Sequence, residues 1–354
     1  MERQKIGVLT FHKCINYGSY WQARCLVEGL QAKGHDAVLL DHHSDEVARA
    51  EIRCAFQPKL PERSPRSDIR DYSQKVRSFL KAFAGLPVSA PFSLYEPGAV
   101  QGFDTIVIGS DEVWNLRHPW YGQKSIFYGD GLKADRLVSY AASFGNHDAD
   151  EGLHPWWAGH LGNFGAISVR DENSRRLVKD GTGREPTMVL DPCLQFPGIA
   201  QVEPANEDEP YAVVYGHGFP VWFAEAVQRW ASDARIKLLS IGYRNEWADE
   251  QRLSAGPDDF AALVAGARAV VTNFFHGCVF ALLNNKPFAT TPTPYRFNKV
   301  RDLTAALAAT HHMVAEKDAD RLPELLGTPL SSEIGERIRD LRGQSDEYLT
   351  AALA

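Results

Sequence analysis

At 354 residues the chain exceeds the roughly 250–300 at which a single core stops growing, so two domains are expected. A net charge of −7 excludes the basic face that nucleic-acid phosphates require, and no apolar run approaches the roughly 20 residues that span a bilayer. Five scattered cysteines without CxxC spacing argue against a zinc site or a disulfide framework. They read as small buried hydrophobes, with Cys14 set apart by its place on a polar loop. The opening residues lead straight into a strand too short for a signal-peptide core, so a cytoplasmic location is expected.

Along the chain, residues 6–11 read as a strand, 19–33 as a helix stopped by Gly34, and 37–40 as a second strand. Residues 45–100 are polar and Pro-rich in places, with a helical stretch near 73–84, and read as an insertion or flap. Short apolar runs at 105–108 and 137–141 are of the kind a central parallel sheet buries. A strand at 166–170, a helix at 174–179 ended by Gly181, and a strand at 187–190 follow. The polar segment 201–210 reads as a linker. The pattern then restarts: strand 211–215, helix 219–231, strand 237–241, helix 257–266, strand 269–271 and helix 278–284, with a long amphipathic helix at 331–352. The alternation predicts an α/β protein of two doubly wound Rossmann-like domains, 1–200 and 208–354, facing a cleft.

Four loops fall at the carboxyl ends of expected strands, where open α/β sheets hold ligands. In the first, His12-Lys13-Cys14-Ile15-Asn16-Tyr17-Gly18-Ser19, Gly18 allows a tight turn and Ser19 can cap the helix, leaving room for an anion; an ordinary capped turn is the alternative. In the second, Asp111 follows Gly109-Ser110 and can accept a proton from a substrate hydroxyl, or else cap a helix. In the third, Arg170 offers a planar fork for a carboxylate or phosphate, or pairs with Asp171 or Glu172. The fourth, Thr272-Asn273-Phe274-Phe275-His276-Gly277, sets a titratable imidazole beside helix amides that favour an anion, a pairing that suits phosphate chemistry; a histidine that merely caps the helix is the alternative. Trp114, Trp120, Tyr121, Trp156 and Trp157 interleave with His118 and His154, and such rings serve either sugar contact or packing. No HExxH pattern occurs, so no metal is expected.

Taken together these loops resemble the polysaccharide pyruvyl transferase family. The matching pieces are Asn16-Tyr17-Gly18-Ser19 with Gln22, Ile108 to Asn115, Ser139 to Gly145, Ser168-Val169-Arg170-Asp171, Leu190-Asp191-Pro192, and Thr272 to Gly277 with Lys286-Pro287-Phe288. They follow the family's order over roughly residues 6 to 300. Two positions depart from it: Glu112 stands where glutamine is usual, and Phe274 where a serine is common, which removes a hydroxyl near the donor.

The resemblance implies a fold similar to GT-B glycosyltransferases. It also implies transfer of a pyruvyl group from phosphoenolpyruvate to a saccharide, giving a pyruvate ketal in cell-surface polysaccharide or glycoconjugate biosynthesis. His276, Arg170 and Asp111 are then the expected catalytic residues. Asn16, Gly18, Ser19, Ser143, Asn273, Gly277, Arg296 and Lys299 are expected on the donor, and Trp114, Asn115, Trp120 and Tyr121 on the acceptor. Phosphoenolpyruvate is the donor substrate rather than a cofactor; the acceptor is a free or lipid-linked saccharide, and homo-oligomerisation stays open. Two rivals share the fold: a nucleotide-sugar glycosyltransferase, with Glu246, Asp249 or Glu250 on the ribose, and a non-catalytic sugar-binding protein.

Overall fold

The computed structural model describes residues 3–58 and 63–354; residues 59–62 of the expected insertion lie outside the described residues. The first half contains β1 (Lys5–Leu9), α1 (Tyr17–Ala32), β2 (Asp36–Leu39), β3 (His42–His43), α2 (Asp45–Phe56), α3 (Ile69–Ala84), β4 (Phe92–Ser93) and β5 (Thr105–Ile108). It continues with β6 (Arg136–Ser139), α4 (Pro155–Leu161), β7 (Ser168–Val169), α5 (Glu172–Thr182), β8 (Thr187–Met188), α6 (Pro192–Gln195) and α7 (Pro197–Ala200). The second half contains β9 (Tyr211–Tyr215), α8 (Val221–Ala234), β10 (Lys237–Ile241), β11 (Glu250–Arg252), α9 (Pro257–Gly266) and β12 (Ala269–Thr272). It ends with α10 (Phe275–Leu283), β13 (Phe288–Thr290), α11 (Phe297–Ala306), α12 (Leu322–Gly327) and α13 (Ser332–Ala352). Among the described residues, no helix is long and apolar enough to cross a membrane.

Two compact units result. The first draws on Met1–Glu51, Gly85–Ile199 and Ile338–Ala354, and the second on Ile52–Ala84 and Ala200–Arg337. A four-stranded parallel sheet, β2-β1-β5-β6, centres the first, with Val8 opposite both Leu39 and Val107. Its inner strands read as unbroken apolar runs because both faces are covered. The expected strand at 166–170 narrows to β7, which pairs with β8; single bridges join Ala166 to Val138 of β6, and Val169 of β7 to Ala142. The second unit centres on the five-stranded parallel sheet β11-β10-β9-β12-β13.

Two boundaries differ from the expected partition. Residues 52–84, expected as an insertion in the first domain, belong to the second unit. There Asp68 takes both ends of the Arg244 guanidinium at 2.6 and 2.7 Å, and Lys75 Nζ donates to the Gly242 carbonyl at 3.1 Å. Burial pushes the Lys75 amine down to about 7. The far end of α13, expected on the second domain, belongs to the first: Tyr348 donates to the Ser139 carbonyl at 2.6 Å, and Ser345 accepts from the Leu190 amide at 2.9 Å. A third difference is Cys54, which is exposed on α2, whereas the other four cysteines are buried.

Three buried groups tie stability to pH. Burial pushes the His42 imidazole down to about 3 and His312 to about 4, below the ordinary histidine value of 6.5. Asp41 is also low, at about 2; burial raises it, and hydrogen bonds from His12 and Lys13 overcome that. A buried neutral histidine favours folding above the unfolded value and loses that advantage as pH falls, because only the unfolded chain takes up the proton. At pH 5 one such group costs roughly 2 kcal/mol. The melting temperature should therefore fall steadily between pH 7 and pH 5. A flat or rising profile over that window would contradict these assignments.

Candidate functional site

At the carboxyl edge of the first sheet, Asn16 is extended (φ −142°, ψ 127°) and its side chain accepts from the Ser19 amide at 3.2 Å. Asn16 is thus the N-cap that Ser19 was expected to be, and Gly18 lies inside the first turn of α1 rather than in a tight turn before it. The Ser19 hydroxyl instead donates to Asp111 Oδ2 at 2.7 Å. Gln22 donates to Thr10 Oγ1 at 3.0 Å, and Thr10 donates to the Ser110 carbonyl at 2.9 Å, so the loops after β1 and β5 are laced together.

Asp111 caps no helix. It sits at φ 73°, a left-handed conformation that Asp tolerates better than most residues. Its Oδ1 accepts from its neighbour's amide at 2.9 Å and from Arg170 Nη2 at 3.2 Å. Arg170 Nη1 reaches Asp191 Oδ2 at 2.9 Å and Ser110 Oγ at 3.3 Å. Arg170 therefore pairs with Asp111 and Asp191, not with Asp171, which caps α5 through the Ser174 amide at 2.7 Å. Burial works against the guanidinium charge, and the two carboxylates more than offset it, holding Arg170 above its ordinary value. With its side chain 1% exposed, the fork expected for a donor is already taken up by protein.

The expected acceptor residues divide. Trp114 is a core side chain with no exposure, donating its indole N–H to the Phe127 carbonyl at 2.8 Å. Asn115 is equally committed: its amide nitrogen donates to Glu112 at 2.8 Å and Asn146 at 2.9 Å, and its oxygen accepts from the Arg117 amide at 3.0 Å. Ser143, expected on the donor, is fully buried and accepts from the Gly145 amide at 3.0 Å, bracing a turn. Trp120 is half-buried, and Tyr121 stacks on Phe11 with ring centroids 4.3 Å apart. Trp120 Nε1 donates to Glu51 at 2.7 Å, a carboxyl that sequence reasoning missed because it lies on α2, in a stretch read as insertion. Cys14 sits beside it, and burial pushes its thiol well above the ordinary range, with Glu51 adding to the effect; a thiolate nucleophile is disfavoured.

In the second unit α10 begins at Phe275, three residues earlier than expected, which puts His276 inside its first turn rather than before it. Phe274 is the N-cap and offers no side-chain hydrogen bond to the helix amides. Thr272 braces the turn, donating to the Tyr215 carbonyl at 2.6 Å and accepting from the Phe274 amide at 3.0 Å. Gly277 is fixed by close approach, since a Cβ there would lie 2.0 Å from Thr272 Oγ1. Asn273 is buried and donates to the His217 carbonyl at 2.7 Å. Arg296 lies 4.1 Å from the Phe274 ring centroid, and Lys299 5.6 Å from that of Tyr295. At the position where a serine is common in the resembled family, Phe274 thus supplies a face for a guanidinium. His217, unnoticed in the sequence despite its Gly216-His217-Gly218 setting, packs tilted against Tyr243 with ring centroids 5.2 Å apart and edge-on to Phe274 at 5.4 Å. Burial, aided by Arg296, pushes its imidazole down to about 4.

These features define an α/β, GT-B-like protein with polar residues gathered at the carboxyl edges of two parallel sheets. The chain belongs to the polysaccharide pyruvyl transferase family, which it matches over residues 16–291, and so to a family of transferases. No curated protein is a significant match. Among solved structures it is similar to a UDP-N-acetylglucosamine 2-epimerase, at 12% identity and a TM-score of 0.54, over 96% of this chain and 91% of that one. It is also similar to the Methanocaldococcus jannaschii UDP-GlcNAc 2-epimerase solved with UDP-GlcNAc and UDP, at 12% identity and a TM-score of 0.52, over 95% and 98%. At such identities the likeness is one of fold.

Two substitutions test the geometry. Arg170→Ala should destabilise the fold by about 3–5 kcal/mol, because it leaves two buried carboxylates without their cation; a thermal midpoint within a degree or two of the parent would refute that. Gly277→Ala should cost about 1–3 kcal/mol through overpacking against Thr272. Thr272→Ser, made together with Gly277→Ala, should recover only part, since Oγ1 is the nearest atom.

Proposed function

We propose that the chain transfers a pyruvyl group from phosphoenolpyruvate to two hydroxyls of a saccharide, forming a pyruvate ketal. The observation that carries this reading is the turn at the start of α10. His276 stands there in the first turn of α10, whose N-cap residue Phe274 has no polar side chain to hydrogen-bond, and Arg296 rests on the Phe274 ring. Helix amides and a guanidinium suit a small donor bearing a carboxylate and a phosphate. Family membership supports the same chemistry.

The second unit's edge is assigned to the donor. Arg296 and Lys299 bind its anionic groups, and His276 donates a proton or stabilises the departing phosphate. Asn273 and Gly277 hold the turn in shape. The first unit's edge is assigned to the acceptor. Asp111 takes a proton from the attacking hydroxyl, Ser19 and Arg170 hold its carboxylate in place, and Trp120 with Tyr121 line the approach. Asn16 shapes this edge as the cap of α1. Arg170 is thereby a positioning residue rather than a donor ligand.

The nucleotide-sugar rival loses two of its three ribose candidates. Asp249 accepts from the Leu238 amide at 2.8 Å, at the amino end of β10, and Glu250 pairs with Lys237 at 2.8 Å. Thermal shift with phosphoenolpyruvate against UDP-GlcNAc and other nucleotide-sugars separates the readings, since saturation at 100 times Kd adds about 2.7 kcal/mol. Stabilisation by phosphoenolpyruvate alone is expected, and stabilisation by a nucleotide-sugar alone would overturn the proposal. His276→Asn should lower phosphate release at least ~10²-fold while leaving the melting temperature within a few degrees. A variant that unfolds, or one with parental release, would remove His276 from the chemistry.

A further inference from the structure

Ketal formation takes protons from two hydroxyls, and the roles above provide an acceptor for one. Resting on that reading, we propose that Glu51 is the second proton acceptor of the saccharide edge, acting on the hydroxyl that closes the ketal ring.

The geometry carries the assignment. Glu51 Oε2 accepts from the Ile15 amide at 3.2 Å and Oε1 from Trp120 Nε1 at 2.7 Å. The two carboxylate oxygens offer about four lone-pair sites, and these donors with the Cys14 thiol fill three, so acceptor capacity remains. Ile15 and Ser19 lie four residues apart on the segment entering α1, and Ser19 is the residue that holds Asp111. One short stretch of chain therefore fixes both carboxyls. Cys14, on the same loop, is raised by burial first and then by the charges of Glu51 and Asp111, which places its thiol within electrostatic reach of both. Trp120 gives a ring beside Glu51 on which a sugar can rest. Burial raises the Glu51 carboxyl above its ordinary value, against the hydrogen bonds from Ile15, Trp120 and Cys14. Burial also pushes the facing Cys14 and Tyr121 upward, so neither competes as a base in the neutral range.

The step balances. The methylene carbon of phosphoenolpyruvate takes a proton. The first hydroxyl oxygen bonds to the adjacent carbon and gives its proton to Asp111. The bond from that carbon to the phosphate oxygen breaks, its electron pair leaving with phosphate. The second hydroxyl oxygen then bonds to the same carbon and gives its proton to Glu51. Of the two protons released, one replaces that added to the methylene carbon and the other leaves on phosphate.

The experiment follows phosphate release from phosphoenolpyruvate with methyl β-galactopyranoside, methyl α-glucopyranoside or methyl α-mannopyranoside, each offering a 4,6-diol. Glu51→Gln should lower kcat at least ~10²-fold with little change in the KM for phosphoenolpyruvate. It should also remove an acid limb that the parent shows above the ordinary carboxylate range, and Glu51→Asp should restore part of the rate. A folded Glu51→Gln protein with parental kcat and pH profile overturns the assignment alone. So does a Glu51→Gln protein that only loses thermal stability while its folded fraction turns over normally. No release by the parent with any of the three sugars overturns the transfer reading, and the Glu51 role with it.

Discussion

A guanidinium cannot shed its proton, so burying Arg170 obliges the fold to bring carboxylates to it. Asp111 and Asp191 meet that demand from two different segments, the turn after β5 and the N-cap of α6. Ser19 reaches the same cluster from α1. Four stretches of chain are thus registered on one charge. Such a network adds little net stability over an apolar replacement, because desolvating three ions offsets most of their attraction. Its effect is positional: Asp111 is held in a left-handed conformation with its carboxylate braced on both oxygens.

In the second unit a guanidinium rests on rings. Phe274, Tyr215, Tyr243 and His217 form a contiguous aromatic cluster, and Arg296 lies on its Phe274 face. A ring attracts a cation without neutralising it, whereas a carboxylate cancels the charge. Contact with the Phe274 ring does not itself cancel the charge of Arg296. Arg170, neutralised twice over, has none to spare.

The parts of the fold legible in the sequence were those governed by burial on both faces. The strands at 211–215 and 237–241 were placed at their observed bounds, as was the helix at 257–266, because the apolar runs and flanking breakers agreed there. β11, made of Glu250-Gln251-Arg252 at a sheet edge, carries no apolar signal, and its side chains serve ion pairs instead. The start of α10 was missed because His276-Gly277 reads as a turn, while the glycine is there to let the helix approach Thr272. At the site, residue type pointed to His276, Asp111 and Arg170. It could not say that Arg170 faces Asp111 and Asp191, since 59 and 21 residues separate those partners. Trp114 was misread for a general reason: a tryptophan next to polar motif residues gives no hint of which side of the loop its ring occupies.

The chain passes between the two units four times, at residues 51/52, 84/85, 199/200 and 337/338. During synthesis, the first unit's sheet is in hand once β6 has emerged, but the α13 side chains that bind Ser139, Leu190 and Leu194 arrive roughly 150 to 210 residues later. The second unit holds α3 in reserve from early on, yet the Gly242 carbonyl and Arg244 that receive it are made more than 160 residues afterwards. Neither unit corresponds to a contiguous half of the gene. Cutting at the linker would yield two fragments that each lack a piece of their own core and carry a piece of the other's.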